Sequence, residues 1–364
     1  MYSPHFTISN KVLSNVGVIE GCREVINNAP LVPAWEKKFQ EDAVVRQVHH
    51  GTHLEGNPLN KEEAAKVMAG GNVLGRPRDV QEIINYRFVL DFIGNFQKER
   101  KKEEHNLYTE GLLEKLHFLT TNKILPSEKC GKIRETQVVL KNSQTGEVSF
   151  RPPPAIEVSY LIEDLFEWLN GGEAKNIHPI IRSGVVQYEI VRVHPFVDGN
   201  GRVARAMATL VLYMEGYDIR RFFSLEEYYD RNTVEYYRAL QLVSNSGETG
   251  SGSAGQPLNL TPWLEYFTEG LAIELNRIKE RIRKLSVDVH MKEKLGGQQL
   301  FLTERQIKII EHIQETGFLQ NQSFGSLFPM ISEDTILREL KELVDKSIIV
   351  KRGKTKGARY VLKT

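Results

Sequence analysis

The stretch from His194 to Arg205 constrains the fold of this chain most, because it joins two helical patterns through a tight bend. A helix predicted over about residues 179–193 ends there, since Pro195 disfavours a helical conformation in the residue before it. A second helix is predicted to begin near Gly201, where apolar residues resume at helical spacing. The sequence therefore predicts a loop that leads directly into a helix N-terminus.

This bend has the composition of an anion site. Gly199 and Gly201 allow a sharp turn and a close approach of the backbone to a ligand, and the N–H groups at the start of the next helix favour phosphate. Arg202 and Arg205 are three residues apart, so both can hold phosphate oxygens beside the first helical turn. Asn200 can add a side-chain donor. The spacing is not that of a P-loop, which requires Gly-x4-Gly-Lys-Ser/Thr.

Two further residues of the bend supply reactive groups. Asp198 offers a hard oxygen ligand for Mg²⁺, an ion that usually takes one or two carboxylates together with phosphate oxygens. His194 is the nearby group that can remove a proton from a hydroxyl near neutral pH. A base, a metal ligand and a phosphate cradle within one short segment indicate phosphoryl or nucleotidyl transfer.

The chain as a whole is predicted to be mainly α-helical. Helices are expected at about residues 61–68, 80–97, 157–170 and 271–285, with another starting near Thr109. The stretch Val138–Phe150 differs, because two short apolar runs, residues 138–140 and 148–150, flank a turn at 142–146 and predict a β-hairpin. Thr261-Pro262 has the signature of a helix start, and the Gly- and Ser-rich residues 247–255 predict a flexible linker.

The C-terminal region predicts a winged helix-turn-helix. Thr303 and Gln306 form a capping-box pattern that opens one helix, a short helix is expected near residues 324–328, and Ser332 opens a third. Two apolar strands then flank a basic turn, and residues 350–364 carry six basic side chains and no acid. Contact of this region with DNA phosphates or with another protein is left open, because the candidate recognition helix is rich in acidic residues.

Composition excludes several other classes. The 364 residues have a net charge of +1, which argues against a wholly basic nucleic-acid coat, and two cysteines are too few for a disulfide framework. No apolar run approaches the length of a transmembrane helix, and no signal peptide is visible at the start of the sequence. We therefore expect a cytoplasmic protein without membrane contact.

The segment His194–Arg205 matches, at every defined position, the signature His-Pro-Phe-x-Asp/Glu-Gly-Asn-Gly-Arg-x-x-Arg, and the chain thereby resembles the Fic-domain proteins. The resemblance implies an α-helical Fic core that transfers AMP from ATP to a Ser, Thr or Tyr hydroxyl of a protein target and releases pyrophosphate. Modification of the chain itself is expected as well. It implies His194 as general base, Asp198 as the Mg²⁺ ligand, and a phosphate site made by Gly199, Asn200, Gly201, Arg202 and Arg205.

Two other segments resemble parts of the same family. Residues 136–141 and the hairpin that they open are similar to the flap that covers the nucleotide and docks the target chain by main-chain bonds, which assigns this role to Val138, Val139, Leu140 and Lys141. Tyr236 and Tyr237 lie where family members place a Tyr pair near adenine. The family Asn that follows is replaced by Ser244, which leaves the ribose or base contact open.

The residues Gly51-Thr52-His53-Leu54-Glu55-Gly56-Asn57 resemble the family's inhibitory helix motif, Ser/Thr-x-x-x-Glu-Gly/Asn. Glu55-Gly56 fits the motif, whereas Gly51 occupies the Ser/Thr position. The resemblance implies that the Glu55 carboxylate forms a bidentate pair with Arg205, which then cannot hold the γ-phosphate of ATP. This places the chain in the class with the inhibitory motif on the N-terminal side.

The sequence divides into four predicted regions. They are an N-terminal helical region with the inhibitory motif (1–100), the Fic core (101–245), a linker with long helices (246–297) and the winged helix-turn-helix domain (298–364). A DNA-binding regulator with an ATP-sensing Fic domain, removal of AMP, and transfer of another phosphate-containing group remain alternative functions. A homodimer is also left open.

Overall fold

In a computed structural model, the described residues are 2–29, 31, 33–99, 106–141, 148–245, 258–285, 302–329, 331–353 and 358–363. Over these ranges the chain is mainly α-helical with two small antiparallel sheets, which confirms the predicted fold class. It divides into two compact units. One combines Met1–Glu24 with Asp42–Asn276, and the other combines Val25–Glu41 with Arg277–Thr364. The four regions drawn from the sequence stay a prediction.

The helices are numbered in chain order. They are α1 (Asn10–Asn27), α2 (Pro33–His53), α3 (Lys61–Met68), α4 (Pro77–Glu99), α5 (Glu110–Thr121), α6 (Val158–Asn170), α7 (Gly172–Lys175), α8 (Pro179–Val193), α9 (Asn200–Met214), α10 (Leu225–Arg231), α11 (Thr233–Asn245), α12 (Thr261–Leu285), α13 (Glu304–Thr316), α14 (Phe324–Leu327) and α15 (Glu333–Asp345).

The core of the first unit is the pair α8 and α9. Both helices are buried on nearly every side, which accounts for their apolar residues being spread around the helix instead of forming one stripe. The Ser183 hydroxyl donates to the Ala208 carbonyl oxygen at 2.8 Å and ties the two helices together. Helices α4 and α5 pack on α9 as well. The loop between α8 and α9 is therefore held by the most buried part of this unit.

Gly184 on α8 permits a close approach of α12. The indole Nε1 of Trp263 donates to the Gly184 carbonyl oxygen at 2.8 Å, and a Cβ at Gly184 would lie 2.8 Å from the Leu264 side chain. Trp263 itself is fully buried. The Gly184 contact thus fixes α12 against the helix that carries the loop.

The predicted hairpin is present but short. Strand β1 (Leu140–Lys141) pairs antiparallel with β2 (Val148–Phe150), with an irregularity in register after Leu140. The sequence placed the first strand at residues 138–140, which is two residues too early. Pro152, which follows Arg151 after the end of the second strand, has no N–H for a ladder bond, and the Gln137 amide donates to the carbonyl oxygens of Val138 and Pro152 there. The predicted turn, residues 142–146, lies outside the described residues.

The second unit contains the predicted order of three helices and two strands. The capping box of Thr303 and Gln306 opens α13, and Ser332 caps α15. Strands β3 (Ile349–Arg352) and β4 (Arg359–Leu362) pair antiparallel. The winged helix-turn-helix assignment and its contact with DNA or protein stay predictions, and Lys354 and Lys356 of the basic turn lie outside the described residues.

Helix α12 corrects one boundary. The sequence separated a helix start at Thr261 from a long helix at about 271–285, whereas one continuous helix covers both. Buried apolar residues repeat at helical spacing along its whole length (Leu264, Phe267, Leu271, Leu275, Ile278 and Ile282), so nothing interrupts it. The predicted linker at 247–255 lies outside the described residues. None of the helices in the described ranges is long and apolar enough to cross a bilayer.

We predict that Trp263→Ala lowers the free energy of unfolding by about 3–5 kcal/mol, because it leaves a cavity and removes the bond to Gly184. Leu74 is a matched apolar control since it is 98% exposed, and Leu74→Ala should change stability by less than about 0.5 kcal/mol. Urea denaturation followed by circular dichroism measures both. Equal stability of the two variants would contradict this description of the core.

Candidate functional site

The loop between α8 and α9 is a tight turn with two left-handed residues. His194 follows Val193 at the end of α8 with φ of 52°, and Gly199 has φ of 80° directly before α9. A Cβ at Gly199 would lie 3.1 Å from Thr121 Cγ2, so glycine is favoured both by its backbone conformation and by the space. The loop ends at Asn200, one residue before the predicted helix start.

Asn200 closes this loop with its side chain. Its Oδ1 accepts from the Phe196 backbone N–H, and its Nδ2 donates to the Phe196 carbonyl oxygen, both at 2.8 Å. These bonds satisfy backbone groups that the turn would otherwise leave buried without partners. Asn200 therefore shapes the loop, and its predicted contact with phosphate stays a prediction.

His194 presents a ring nitrogen suited to accept a proton. Its Nδ1 lies 3.2 Å from the Val191 carbonyl oxygen. A carbonyl only accepts, so we assign the proton to Nδ1 and the lone pair to Nε2. Burial lowers the pKa of His194, although the Val191 carbonyl and the charges of Glu55 and Asp198 oppose this effect. The ring is thus neutral near pH 7 and can act as a base through Nε2.

Arg134 fixes the backbone around His194. Its Nε donates to the His194 carbonyl oxygen at 2.8 Å, and its Nη1 and Nη2 donate to the carbonyl oxygens of Thr136 and Pro153 at the two ends of the hairpin. Its backbone N–H donates to Pro195. One buried guanidinium therefore joins the hairpin to the loop. Sequence reasoning missed it, because every one of these partners is a carbonyl oxygen.

His117 supports the other side of the loop. Its ring stacks on Phe196, with centroids 3.8 Å apart. The Gly131 N–H donates to its Nδ1 at 2.9 Å, so its Nε2 carries a proton and donates to the Asp198 carbonyl oxygen at 3.1 Å. Burial lowers the pKa of His117 to about 4, which keeps it neutral. Sequence reasoning missed this residue too, since it lies among the core leucines of α5.

Glu55 reaches the site from just beyond the end of α2. Its Oε1 lies 2.9 Å from Nη1 of Arg205, a side chain that is 2% exposed. The Nη2 atom of Arg205 donates instead to the Gly51 carbonyl oxygen at 2.9 Å. The predicted pair is therefore present, but the guanidinium is shared between Glu55 and Gly51 where a bidentate contact was expected.

The Glu55 carboxylate lies against the N-terminus of α9. A Cβ at Gly201 would be 2.3 Å from Glu55 Oε1, so the absence of a side chain at Gly201 makes room for this oxygen. Burial opposes charge on Arg205, but the Glu55 carboxylate, together with Tyr236, Tyr86 and Glu226, raises the pKa of Arg205. A negative group thus occupies the position that a helix N-terminus and an arginine together prepare for an anion.

Asp198 and Arg202 lie in a small network of charges. Asp198 Oδ2 is 2.8 Å from Nη2 of Arg78, on α4, and Arg202 Nη1 is 3.4 Å from Glu82 Oε1. Arg202 is buried, and its Nε and Nη1 have no hydrogen-bond acceptor among the described residues. Such buried donors suit an anionic ligand. Arg78 and Glu82 were not singled out from the sequence.

The donor set fits Mg²⁺ bound together with a phosphate. Within the part of the chain that the structure describes, no three His, Cys, Asp or Glu side chains form a metal cluster. Asp198 is a half-buried carboxylate beside the anion site. A single carboxylate, with the other ligands coming from phosphate and water, is a normal arrangement for Mg²⁺.

The Tyr pair divides into a core residue and a surface residue. Tyr236 is buried and stacks on Tyr229, with ring centroids 4.7 Å apart. Tyr237 is 47% exposed and meets Tyr236 edge to face. Tyr237 is therefore the residue of the pair whose ring is accessible to a ligand. Contact of either residue with adenine stays a prediction. The side chain of Ser244 lies outside the described set.

The hairpin that contains Val138, Val139 and Leu140 is joined to the loop at its two ends, where Arg134 donates to the carbonyl oxygens of Thr136 and Pro153. Val139 and Val148 are large apolar residues that remain exposed. Of Lys141 only the backbone is described, and it pairs with Val148. Docking of a target chain on this hairpin stays a prediction.

Comparison with known proteins relates the central part of the chain to a known family. Residues 107–212 match the model of the Fic/DOC family. It is 26% identical over 280 residues to protein adenylyltransferase fic-1 of Caenorhabditis briggsae, which covers 76% of this chain and 48% of the relative. It is 28% identical over 183 residues to fic-1 of Caenorhabditis elegans, covering 50% and 34%. The chain thus spans about half or less of these relatives.

Solved structures show the same fold. A Fic family protein from Desulfovibrio desulfuricans has a TM-score of 0.64 and 22% identity, and the match covers 99% of this chain and 98% of the other. A Fic domain containing signaling protein from Bacteroides thetaiotaomicron has a TM-score of 0.61 and 21% identity, covering 73% and 97%. These matches show that the helical fold of the described residues is similar to that of the two solved Fic proteins.

We predict that NMR titration gives the His194 ring a pKa below its usual value of about 6.5, because burial disfavours the charged form. Glu55→Gln should lower this pKa further, since it removes a negative charge that stabilises the imidazolium. A His194 pKa above the usual value, or one that Glu55→Gln raises, would contradict the described environment.

Proposed function

We propose that this Fic-domain chain is a protein adenylyltransferase, which transfers AMP from ATP to a hydroxyl of a protein, and that Glu55 inhibits it. The observation that carries the proposal is the Glu55 carboxylate bound to Arg205 at the N-terminus of α9. The Glu55 carboxylate occupies a site where a phosphate of the nucleotide would bind, so the two groups would compete for the same position. The relatives named protein adenylyltransferases support the same activity.

The triphosphate of ATP would bind along the start of α9. The first N–H groups of a helix lack partners within the helix and suit phosphate oxygens. Arg202 adds its buried Nε and Nη1 donors, and Arg205 becomes available to the γ-phosphate once Glu55 leaves. Asp198 would hold Mg²⁺, which when bound neutralises charge on the phosphate oxygens.

His194 would take the proton of the attacking hydroxyl. The hydroxyl oxygen of the target forms a bond to the α-phosphorus, the bond from the α-phosphorus to the bridging oxygen breaks, and pyrophosphate leaves. The hydroxyl proton passes to Nε2 of His194, whose Nδ1 already donates to Val191. Catalysis here consists of positioning and charge stabilisation, as is general for phosphoryl transfer.

Glu55 would inhibit by withholding Arg205. With Glu55 in place, the guanidinium is shared by Glu55 and Gly51 and cannot hold the γ-phosphate. ATP then binds with its α-phosphorus out of line with the target hydroxyl. The hairpin β1–β2 would present the hydroxyl, because the edge of a hairpin can bind an extended segment by main-chain bonds.

We predict that Glu55→Gly raises incorporation of AMP into the protein itself or a target by about 10- to 100-fold, the range expected when a charged contact worth about 1.5–3 kcal/mol is removed. His194→Ala in the same background should lower incorporation by about 10²- to 10⁴-fold, because the base is lost. Label from [α-³²P]ATP, with mass spectrometry of the product, measures both.

Glu62→Gly is the matched control, because Glu62 is an exposed carboxylate on α3 close to Glu55 in sequence. It should leave incorporation at the wild-type level. Equal labelling of wild type, Glu55→Gly and Glu55→Gly/His194→Ala would contradict the mechanism. A second assay compares two rates, the release of AMP from an already modified protein and the incorporation of AMP into an unmodified one. If release is faster, removal of AMP is the main activity.

We also predict that Arg134→Met lowers kcat by about 100-fold with a much smaller change in the KM for ATP, because a shift of about 1 Å at His194 is enough for such a loss. The guanidinium bonds to the backbone of His194 and the hairpin and does not touch the phosphate site. Steady-state kinetics in the Glu55→Gly background measures kcat and the KM for ATP separately. A rise in KM with an unchanged kcat would place Arg134 in ATP binding instead.

A further inference from the structure

Both oxygens of the Asp198 carboxylate are already engaged. Oδ1 accepts from the Gly199 N–H at 2.6 Å, and Oδ2 accepts from Nη2 of Arg78 at 2.8 Å. The bond to Gly199 is local and belongs to the loop. The bond to Arg78 joins the loop to the first turn of α4, and it places a positive charge where a divalent cation would coordinate.

Arg78 belongs to a closed set of two arginines and two carboxylates, which we call the charge ring (Arg78, Glu82, Asp198 and Arg202). Arg78 Nε is 3.2 Å from Glu82 Oε1, and Glu82 Oε1 is 3.4 Å from Arg202 Nη1. Arg202 Nη2 lies 3.7 Å from Asp198 Oδ1. Opposite charges alternate around the ring, so its net charge is zero, and a bound cation would unbalance it.

The two halves of the charge ring differ in exposure. The Glu82 and Arg202 side chains are 7% and 2% exposed and are fixed in the core. The Arg78 and Asp198 side chains are 54% and 36% exposed. An exposed ion pair is weak because water screens it, so the contact between Arg78 and Asp198 is the one that can open without disturbing the core.

The charge ring is also joined to the segment that carries Glu55. The Asn57 amide donates to Glu82 Oε2 at 3.0 Å and to the Asp79 carbonyl oxygen at 2.9 Å. Asn57 is buried and lies two residues after Glu55. The start of α4 therefore contacts the inhibitory segment on one side and the carboxylate of the metal site on the other.

We propose that Arg78 is a regulatory residue that competes with the divalent cation for Asp198; this inference rests on the proposed function. With Arg78 in place, Asp198 is neutralised and binds a cation poorly, because the guanidinium both occupies Oδ2 and repels the ion. Binding of the cation moves Arg78 off Asp198, while its Nε can stay on Glu82. Arg78 thus sets the cation concentration at which ATP can be positioned.

The test is Mn²⁺ binding to the full chain with the non-hydrolysable analogue α,β-methylene-ATP present, in the Glu55→Gly background. Electron paramagnetic resonance of Mn²⁺ gives the concentration for half-saturation without any turnover. Arg78→Gln should lower this concentration about two- to fivefold, as expected for loss of one exposed ion pair. Arg78→Lys keeps the charge and should stay close to the parent.

Arg87→Gln is the matched control, because Arg87 is on the same helix and pairs with Asp91 four residues later. It should not change Mn²⁺ binding. If Arg78→Gln left the half-saturation unchanged or raised it, the competition would be refuted.

Asp198→Asn separates this failure from that of the proposed function. Loss of Mn²⁺ binding in Asp198→Asn, with no effect of Arg78→Gln, would refute the role of Arg78 and leave the metal assignment standing. Unchanged Mn²⁺ binding in Asp198→Asn would show that the cation binds elsewhere and would overturn both.

Discussion

The contact between Glu55 and Arg205 is the interaction on which the candidate site depends. It is a charged pair at the N-terminus of the most buried helix of the unit, with the arginine almost wholly removed from water. A buried guanidinium without an anion beside it is costly. In the chain alone, Glu55 lies against the Arg205 guanidinium and the buried Glu226 carboxylate adds to its stabilisation. With ATP bound, we propose that a phosphate takes the place of Glu55.

The surrounding structure serves to hold this N-terminus rigid. Arg134 joins the hairpin to the His194 backbone, His117 stacks under Phe196, and Asn200 closes the turn from inside. Each of these side chains satisfies backbone groups of an irregular loop that would otherwise be buried without partners. A rigid loop matters for group transfer, because the base and the phosphate site contribute only when both are already in place.

The sequence predicted the features that depend on residues close together along the chain. The loop, the helix start beside Gly201, the capping box of Thr303 and the order of elements near the C-terminus all follow from local patterns. The pair of Glu55 with Arg205 was predicted across a long stretch of chain, but only because a family motif names both partners. The geometry of the pair was not predicted, because the Nη2 atom of Arg205 donates to the Gly51 carbonyl oxygen.

The remaining features could not be predicted, because they depend on which distant groups the fold brings together. Arg134 binds carbonyl oxygens, which every residue carries, so no side-chain pattern marks its partners. Arg78 meets Asp198 only through the packing of α4 on α9. Tyr236 and Tyr237 are adjacent in sequence, yet one is in the core and the other at the surface, because they point to different sides of α11.

The most direct measurement of the central claim is a crystal structure of the Glu55→Gly variant with Mg²⁺ and α,β-methylene-ATP. We expect the γ-phosphate on the Arg205 guanidinium at the start of α9 and the α-phosphorus facing Nε2 of His194. A triphosphate bound away from α9, with Arg205 retaining only its contact with Gly51, would contradict the claim that Glu55 and the nucleotide compete for this arginine.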